Sequence, residues 1–171
     1  MSLIQFFVPG IPRTAGSKRS FIPKGWTRAI ITDASGKAGK DWRGDVKRFA
    51  LEAYQGQPII GPLCLTLRFH MQRPKGHFRG GKNAHVLRDD APVFHISKPD
   101  VLKMARAIED ALTGILWVDD SQVAVEQLEK VYSAKPGCSV TVDRILTRQD
   151  WTQPVAEQPA LSLGKCVEVN V

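Results

Sequence analysis

The sequence predicts an α+β fold, a mixed β-sheet packed by two main helices, and three observations lead there. Two stretches, 42–53 and 100–112, repeat apolar residues at helical spacing, and a third, 63–71, alternates them strictly. Pro or Gly separates these stretches. The element order reads roughly β-β-α-β-α-β-β. A chain of 171 residues with 43% hydrophobic content buries one sizeable core, so residues 1–148 are expected to form one domain, with 149–171 as a peripheral C-terminal extension.

Each element has its own signal. Ile4, Phe6 and Val8 alternate with more variable neighbours and run into Pro9-Gly10, a short strand ending in a turn. From Thr14 to Lys24 the chain is rich in Gly, Ser, Lys and Arg, which predicts a basic loop, and β character returns from Thr27 to Thr32. Trp42, Val46, Phe49, Ala50 and Ala53 then share one face of an amphipathic helix expected to end near Gly56. Beyond Pro58 and Pro62, Leu63, Leu65, Leu67, Phe69 and Met71 oppose Thr66, Arg68 and His70, the pattern of a half-buried strand.

The segment from Gln72 to Lys98 has no sustained hydrophobic period and is rich in basic residues, Gly and Pro. A loop this long inside a compact domain is usually functional or disordered. Its charge fits a phosphate-contacting arm or a merely solvated basic loop. Val101, Met104, Ala105, Ile108, Ala111 and Leu112 trace the stripe of a second helix, which Gly114 closes. A strand is expected from Gln122, and Lys135-Pro136-Gly137 followed by alternating Val140 and Val142 predicts a closing β-hairpin. From Asp150 onward, Pro154 and Pro159 interrupt a stretch with few charges and no period before Val167.

The net charge of +7 and pI near 9.5 favour a polyanionic partner, nucleic acid or an anionic membrane. A membrane is disfavoured: no run of about 18 apolar residues occurs, and Ile4 to Val8 is too short, and lacks a basic lead-in, for a signal peptide. A cytoplasmic location is expected. Cys64, Cys138 and Cys166 lie far apart with no C-x-x-C pair, which argues against a disulfide framework or zinc knuckle. His70, His77, His85 and His95 show no H-E-x-x-H spacing, so structural or phosphate-contacting roles outweigh a zinc site.

Three acidic residues sit at element ends: Asp100 after Pro99 at a helix start, and Asp119-Asp120 before a strand. Such termini aim carboxylates at one point, and clustered Asp oxygens suit Mg²⁺, which takes few protein ligands and keeps waters. A metal there can activate water and stabilise the charge of phosphodiester cleavage. Asp100 equally suits a helix N-cap, and Asp119-Asp120 a turn. Two adjacent aspartates repel unless a cation compensates, which gives the pair some weight.

The runs Lys98-Pro99-Asp100-Val101-Leu102-Lys103-Met104-Ala105-Arg106, Asp110-Ala111-Leu112-Thr113-Gly114 and Asp119-Asp120-Ser121-Gln122-Val123, with their spacing, resemble the signature of the RusA family of Holliday-junction resolvases. Gly16-Ser17-Lys18-Arg19 and Arg73-Pro74-Lys75 resemble phage and prophage members, and the similarity runs from Phe7 to Val142. It implies a RusA-like fold and a homodimeric, Mg²⁺-dependent endodeoxyribonuclease, Mn²⁺ being an alternative metal, that cuts four-way DNA junctions with paired symmetric nicks. By position, Asp100, Asp119 and Asp120 match the family's acidic residues. Arg106 falls at a catalytic lysine or arginine, and Lys130 at a basic position beyond the acidic pair. Arg106 lies about one and a half turns beyond Asp100, where it can neutralise charge at the scissile phosphate.

One position departs: Leu102 stands where the family usually has a second acidic residue, and leucine cannot bind metal. Lys103 replaces the usual asparagine, as in the phage-type branch. Asp110, Glu109 or a phosphate oxygen could supply a missing ligand, although Asp110 is about 15 Å along the helix from Asp100. Three functions follow: an active resolvase, a junction-binding homologue with weakened catalysis, and a basic RNA-binding protein whose aspartates are only caps and turns. In both nuclease readings DNA is recognised by shape and phosphate position, with Lys18, Arg19, Arg73, Lys75, Arg79, Lys82, Lys98, Lys103 and Lys130 as expected contacts. Phe78 is either a wedge into the junction or, preferred, a buried anchor of its loop. Two cuts related by a twofold axis call for two subunits.

Overall fold

A computed structural model describes residues 4–16, 18–33 and 36–145, and of residues 18, 19 and 31–33 the backbone alone. The elements are β1 (Ile4–Pro9), β2 (Lys18–Phe21), β3 (Ile30–Asp33), α1 (Gly36–Ala53), β4 (Leu63–Gln72), α2 (Val101–Leu112), β5 (Val123–Ser133) and β6 (Gly137–Arg144). The class is the expected α+β, a four-stranded mixed sheet with two helices, plus one strand more than the sequence predicted. The extension 149–171 lies outside the described residues.

The sheet runs β1-β6-β4-β5. Its organiser is β4, whose Leu63, Leu65, Leu67 and Phe69 are all fully buried while Arg68 on the alternate face is exposed. The helices cover one face through their apolar stripes: Trp42, Val46 and Ala50 from α1, and Met104, Ala105, Ile108, Ala111 and Leu112 from α2, join the strand residues in one core. At about 25 cal/mol per Å² of apolar surface, burying each large side chain contributes on the order of 1.5–3 kcal/mol.

The expected closing hairpin does not form. β5 pairs parallel with β4 along Leu63↔Val123 to Gln72↔Ser133, whereas β6 inserts antiparallel between β1 and β4. The reason lies in burial: Cys138, Val140 and Val142 are completely buried, which a central strand requires, while Ala124, Val125 and Glu126 of β5 are exposed, as an edge permits. Lys135-Pro136 therefore carries the chain across β4 instead of reversing it onto its neighbour.

The predicted basic loop at Thr14 to Lys24 is another difference. Its middle, Lys18–Phe21, is β2, paired antiparallel with β3 as a separate two-stranded ribbon. α1 ends at Ala53, three residues before Gly56, and Ala53 is exposed. Gly114 does close the α2 region: at φ +81°, its N–H donates to the Trp117 carbonyl at 2.7 Å.

Candidate nuclease site

Asp100 is the N-cap of α2, its carboxylate accepting the Leu102 N–H at 3.0 Å. Backbone φ and ψ there are extended, and the cap satisfies one orphan amide of the first turn. One oxygen remains for other work. Leu102, the next residue but one, is 62% exposed, so packing does not account for it.

Asp119 caps a second, shorter turn. It precedes the 3-10 helix Asp120–Gln122 and accepts the Ser121 N–H at 2.9 Å; the Ser121 side chain first, and then that backbone bond, hold its carboxyl below the usual range. Gln122 closes the capping box, its Oε1 accepting the Val118 and Asp119 N–H groups at 2.9 and 3.1 Å. Its Nε2 donates to the carbonyls of Ile59 and Gly61, tying the turn to the segment before β4. Gln122 thus fixes where Asp119 and Asp120 stand, and the Asp119-x-x-Gln122 spacing was a readable sign of it.

The electrostatic centre is Glu109, which the sequence offers only as a substitute ligand. Glu109, half-buried on α2, is pushed up to about 7, first by burial and then by the charges of Glu126, Asp120 and Asp110, with Arg106 opposing. Burial also pushes Glu126 up. Arg106, one turn before Glu109, is exposed on the same side of the helix. The structure therefore brings Asp120, Glu109, Glu126 and Arg106 into one field. Asp100 is not among the groups acting on Glu109, and among the described residues no three His, Cys, Asp or Glu side chains gather closely enough to hold a metal between them.

Lys130 reaches the other end of α2. Its Nζ donates to the carbonyls of Ser97 and Pro99, each at 2.7 Å, just before Asp100. On the same strand, the Lys130 carbonyl accepts the His95 N–H at 2.9 Å and the Tyr132 N–H donates to Val93 O at 2.9 Å, so segment 93–99 is laced onto β5. His95 and His77 pack on the Tyr132 ring at 4.9 and 4.6 Å between centroids, and burial, then Lys130, lowers the His95 pKa. His70 bonds Ser139 Oγ at 2.9 Å. These three histidines have structural surroundings.

The basic arm 72–98 is built from its own arginines. Arg79 pairs with Asp89 through both carboxylate oxygens at 3.0 Å, Arg88 with Asp90 at 2.9 Å, and Arg73 donates to Pro92 O at 2.9 Å. Phe78 is half-buried, and its backbone bridges to the exposed Leu87 within the arm. Lys75, Lys82, Lys98 and Lys103 are exposed. The side chains of Lys18 and Arg19 lie outside the described residues, although both are in β2.

Residues 14–143, about three quarters of the chain, match the family described as Endodeoxyribonuclease RusA. The chain belongs to the RusA family. This is a family of Holliday-junction resolvases, and the α+β architecture above is consistent with a RusA-like fold. A further relative is an uncharacterized protein, YqaN, of Bacillus subtilis (strain 168), 28% identical over 148 residues that cover 85% of this chain and 99% of the relative. RusA membership places the matched region over both acidic turns, α2 and the Lys130 strap. No helix among the described residues is long and apolar enough to cross a membrane.

Proposed function

We propose that this RusA-family chain is a Mg²⁺-dependent, structure-specific endodeoxyribonuclease that resolves four-way DNA junctions by paired symmetric nicks, acting as a homodimer. The observation that carries the reading is the RusA match over residues 14–143, and the acidic field at Glu109, to which Glu126 and Asp120 contribute, supports it in a chain of net charge +7. Such an excess of negative charge in a basic protein is relieved by a divalent cation.

The donor set fits Mg²⁺ in kind: exposed carboxylate oxygens, with no thiolate or imidazole among them. Because no three such side chains gather among the described residues, one or two carboxylates drawn from Asp119, Asp120 and Asp100 would hold the metal, with waters and a phosphate oxygen completing the shell. When bound, the ion supplies Lewis-acid polarisation of the scissile phosphate and a nucleophilic water. The chain's part is positional. The Leu102 and Ser121 amides fix the Asp100 and Asp119 carboxylates, and Gln122 holds the turn under Asp120. Arg106 neutralises charge developing at the phosphate. Lys130, whose ammonium is taken up by two carbonyls, orients the strap leading into Asp100 instead of touching DNA.

The direct experiment is a supercoiled plasmid extruding a cruciform, incubated with Mg²⁺. Paired symmetric nicks give linear product with cuts opposed across the junction; nicked circles alone, or no product, contradict the reading. A junction-binding protein with weakened catalysis is the second reading, and Leu102 favours it: exposed in the first turn of α2, it occupies a site where a carboxylate would fit without repacking.

A further inference from the structure

The ribbon β2–β3 stands apart from the main sheet, and a two-stranded ribbon is marginal on its own in water. Its register runs Lys18↔Asp33 to Phe21↔Ile30, and the loop between carries a turn in which Trp26 N–H donates to Pro23 O at 3.0 Å. Phe21, Ile22 and Trp26 are 52%, 62% and 61% exposed, three large apolar side chains on one short excursion. Lys24 and Arg28 flank Trp26, both exposed, and neither has a hydrogen bond or ion pair within the described residues.

Two comparisons give this pattern meaning. The arginines of the 72–98 arm are spent on Asp89, Asp90 and Pro92 O, whereas Lys24 and Arg28 have no such partner among the described residues. The ribbon's root is also tied to the nuclease site: Ala15 N–H donates to the Lys103 carbonyl at 2.8 Å, three residues beyond Asp100. A cationic ribbon with an exposed indole, rooted beside Asp100, has the chemistry of a stacking platform between phosphate contacts.

We propose that the ribbon Lys18–Asp33 is a DNA-engaging arm, with Trp26 stacking on a base unstacked at the branch point and Lys24 and Arg28 holding the flanking phosphates. This rests on the branched-DNA reading above and adds the residues that read the branch. An indole between two cations matches a base between two phosphates, whereas a second copy of the chain would bring a further net charge of +7 towards them, which is why DNA is the occupant argued here.

The test uses the full chain, with Trp26→Ala, Trp26→Phe and the double variant Lys24→Ala/Arg28→Ala, titrated onto a labelled four-way junction in EDTA over a range of salt. Thermal melting checks the fold, since none of these side chains belongs to the core. Trp26→Ala should weaken junction binding about 5- to 100-fold, and Trp26→Phe should restore most of it. The double variant should lower the slope of log affinity on log salt by about 2. Trp42 and Trp117 are buried, so in a Trp151→Phe background quenching of tryptophan fluorescence on binding should be much reduced by the further change Trp26→Phe. Wild type that binds junctions while Trp26→Ala binds equally well, with an unchanged salt slope, overturns the arm alone. Wild type that binds no branched DNA overturns both the arm and the function. Trp26→Ala that turns a dimer into a monomer in sedimentation also overturns it, by assigning the ribbon to a subunit interface.

Discussion

The Lys130 ammonium donates to the Pro99 carbonyl at 2.7 Å, one residue before the Asp100 N-cap, and to Ser97 O at the same distance. A cation expected to face DNA is committed instead to the backbone leading into the carboxylate proposed to hold metal. Lys130→Met should therefore cost on the order of 1–3 kcal/mol in stability, the worth of charge-assisted bonds lost from a half-buried site. It should also slow junction cleavage at least about 10-fold while leaving the salt slope of binding unchanged. A fall of about 0.9 in that slope, with cleavage preserved at saturating DNA, would return Lys130 to the phosphate contacts.

Leu102 offers a gain-of-function test. Because the side chain is mostly exposed in the first turn of α2, Leu102→Asp should change stability by no more than about 0.5 kcal/mol, and a negative charge there favours the helix dipole. Expected outcomes are a lower Mg²⁺ concentration at half-maximal cleavage and a higher rate. If a titration shows neither change, the position is not a missing ligand.

Glu109 gives a pH dependence of stability. Its carboxyl is raised from 4.5 to about 7 in the folded chain, first by burial and then by its acidic neighbours, so folding favours the protonated form. That contribution is full below the unfolded value and is lost as pH rises through about 7. Glu109→Gln should accordingly match wild type in melting temperature at pH 4 and exceed it at pH 8. Equal melting curves at both pH values would mean that the carboxyl is not held in this field.

How much of this was readable follows from which interactions are local. α2 and β4 were legible because their periods, 3.6 and 2, record which face meets the core, and Met104, Ile108, Leu65 and Phe69 are indeed completely buried. The β5–β6 hairpin was misread because Lys135-Pro136-Gly137 encodes a turn but not the strand it lands beside; that depends on burial at Val140 and Val142. β2 was hidden by its Lys-Arg-Ser composition, which signals a loop when pairing with β3 is not visible. At the site, the capping roles of Asp100 and Asp119 could be seen in the sequence, as could the box to Gln122. The pairing of Arg79 with Asp89, ten residues on, and the approach of Asp120 to Glu109 depend on tertiary placement and left no local trace.

Asp120 is the residue on which the account turns, since it joins the acidic turn to the field around Glu109. The most direct measurement is the nicking rate of a labelled four-way junction in Mg²⁺ by wild type and by Asp120→Asn, with binding measured alongside. Wild type should nick at symmetric positions, and Asp120→Asn should bind comparably yet nick on the order of 100-fold more slowly or less. Nicking by Asp120→Asn at the wild-type rate, or none by wild type, would contradict the account.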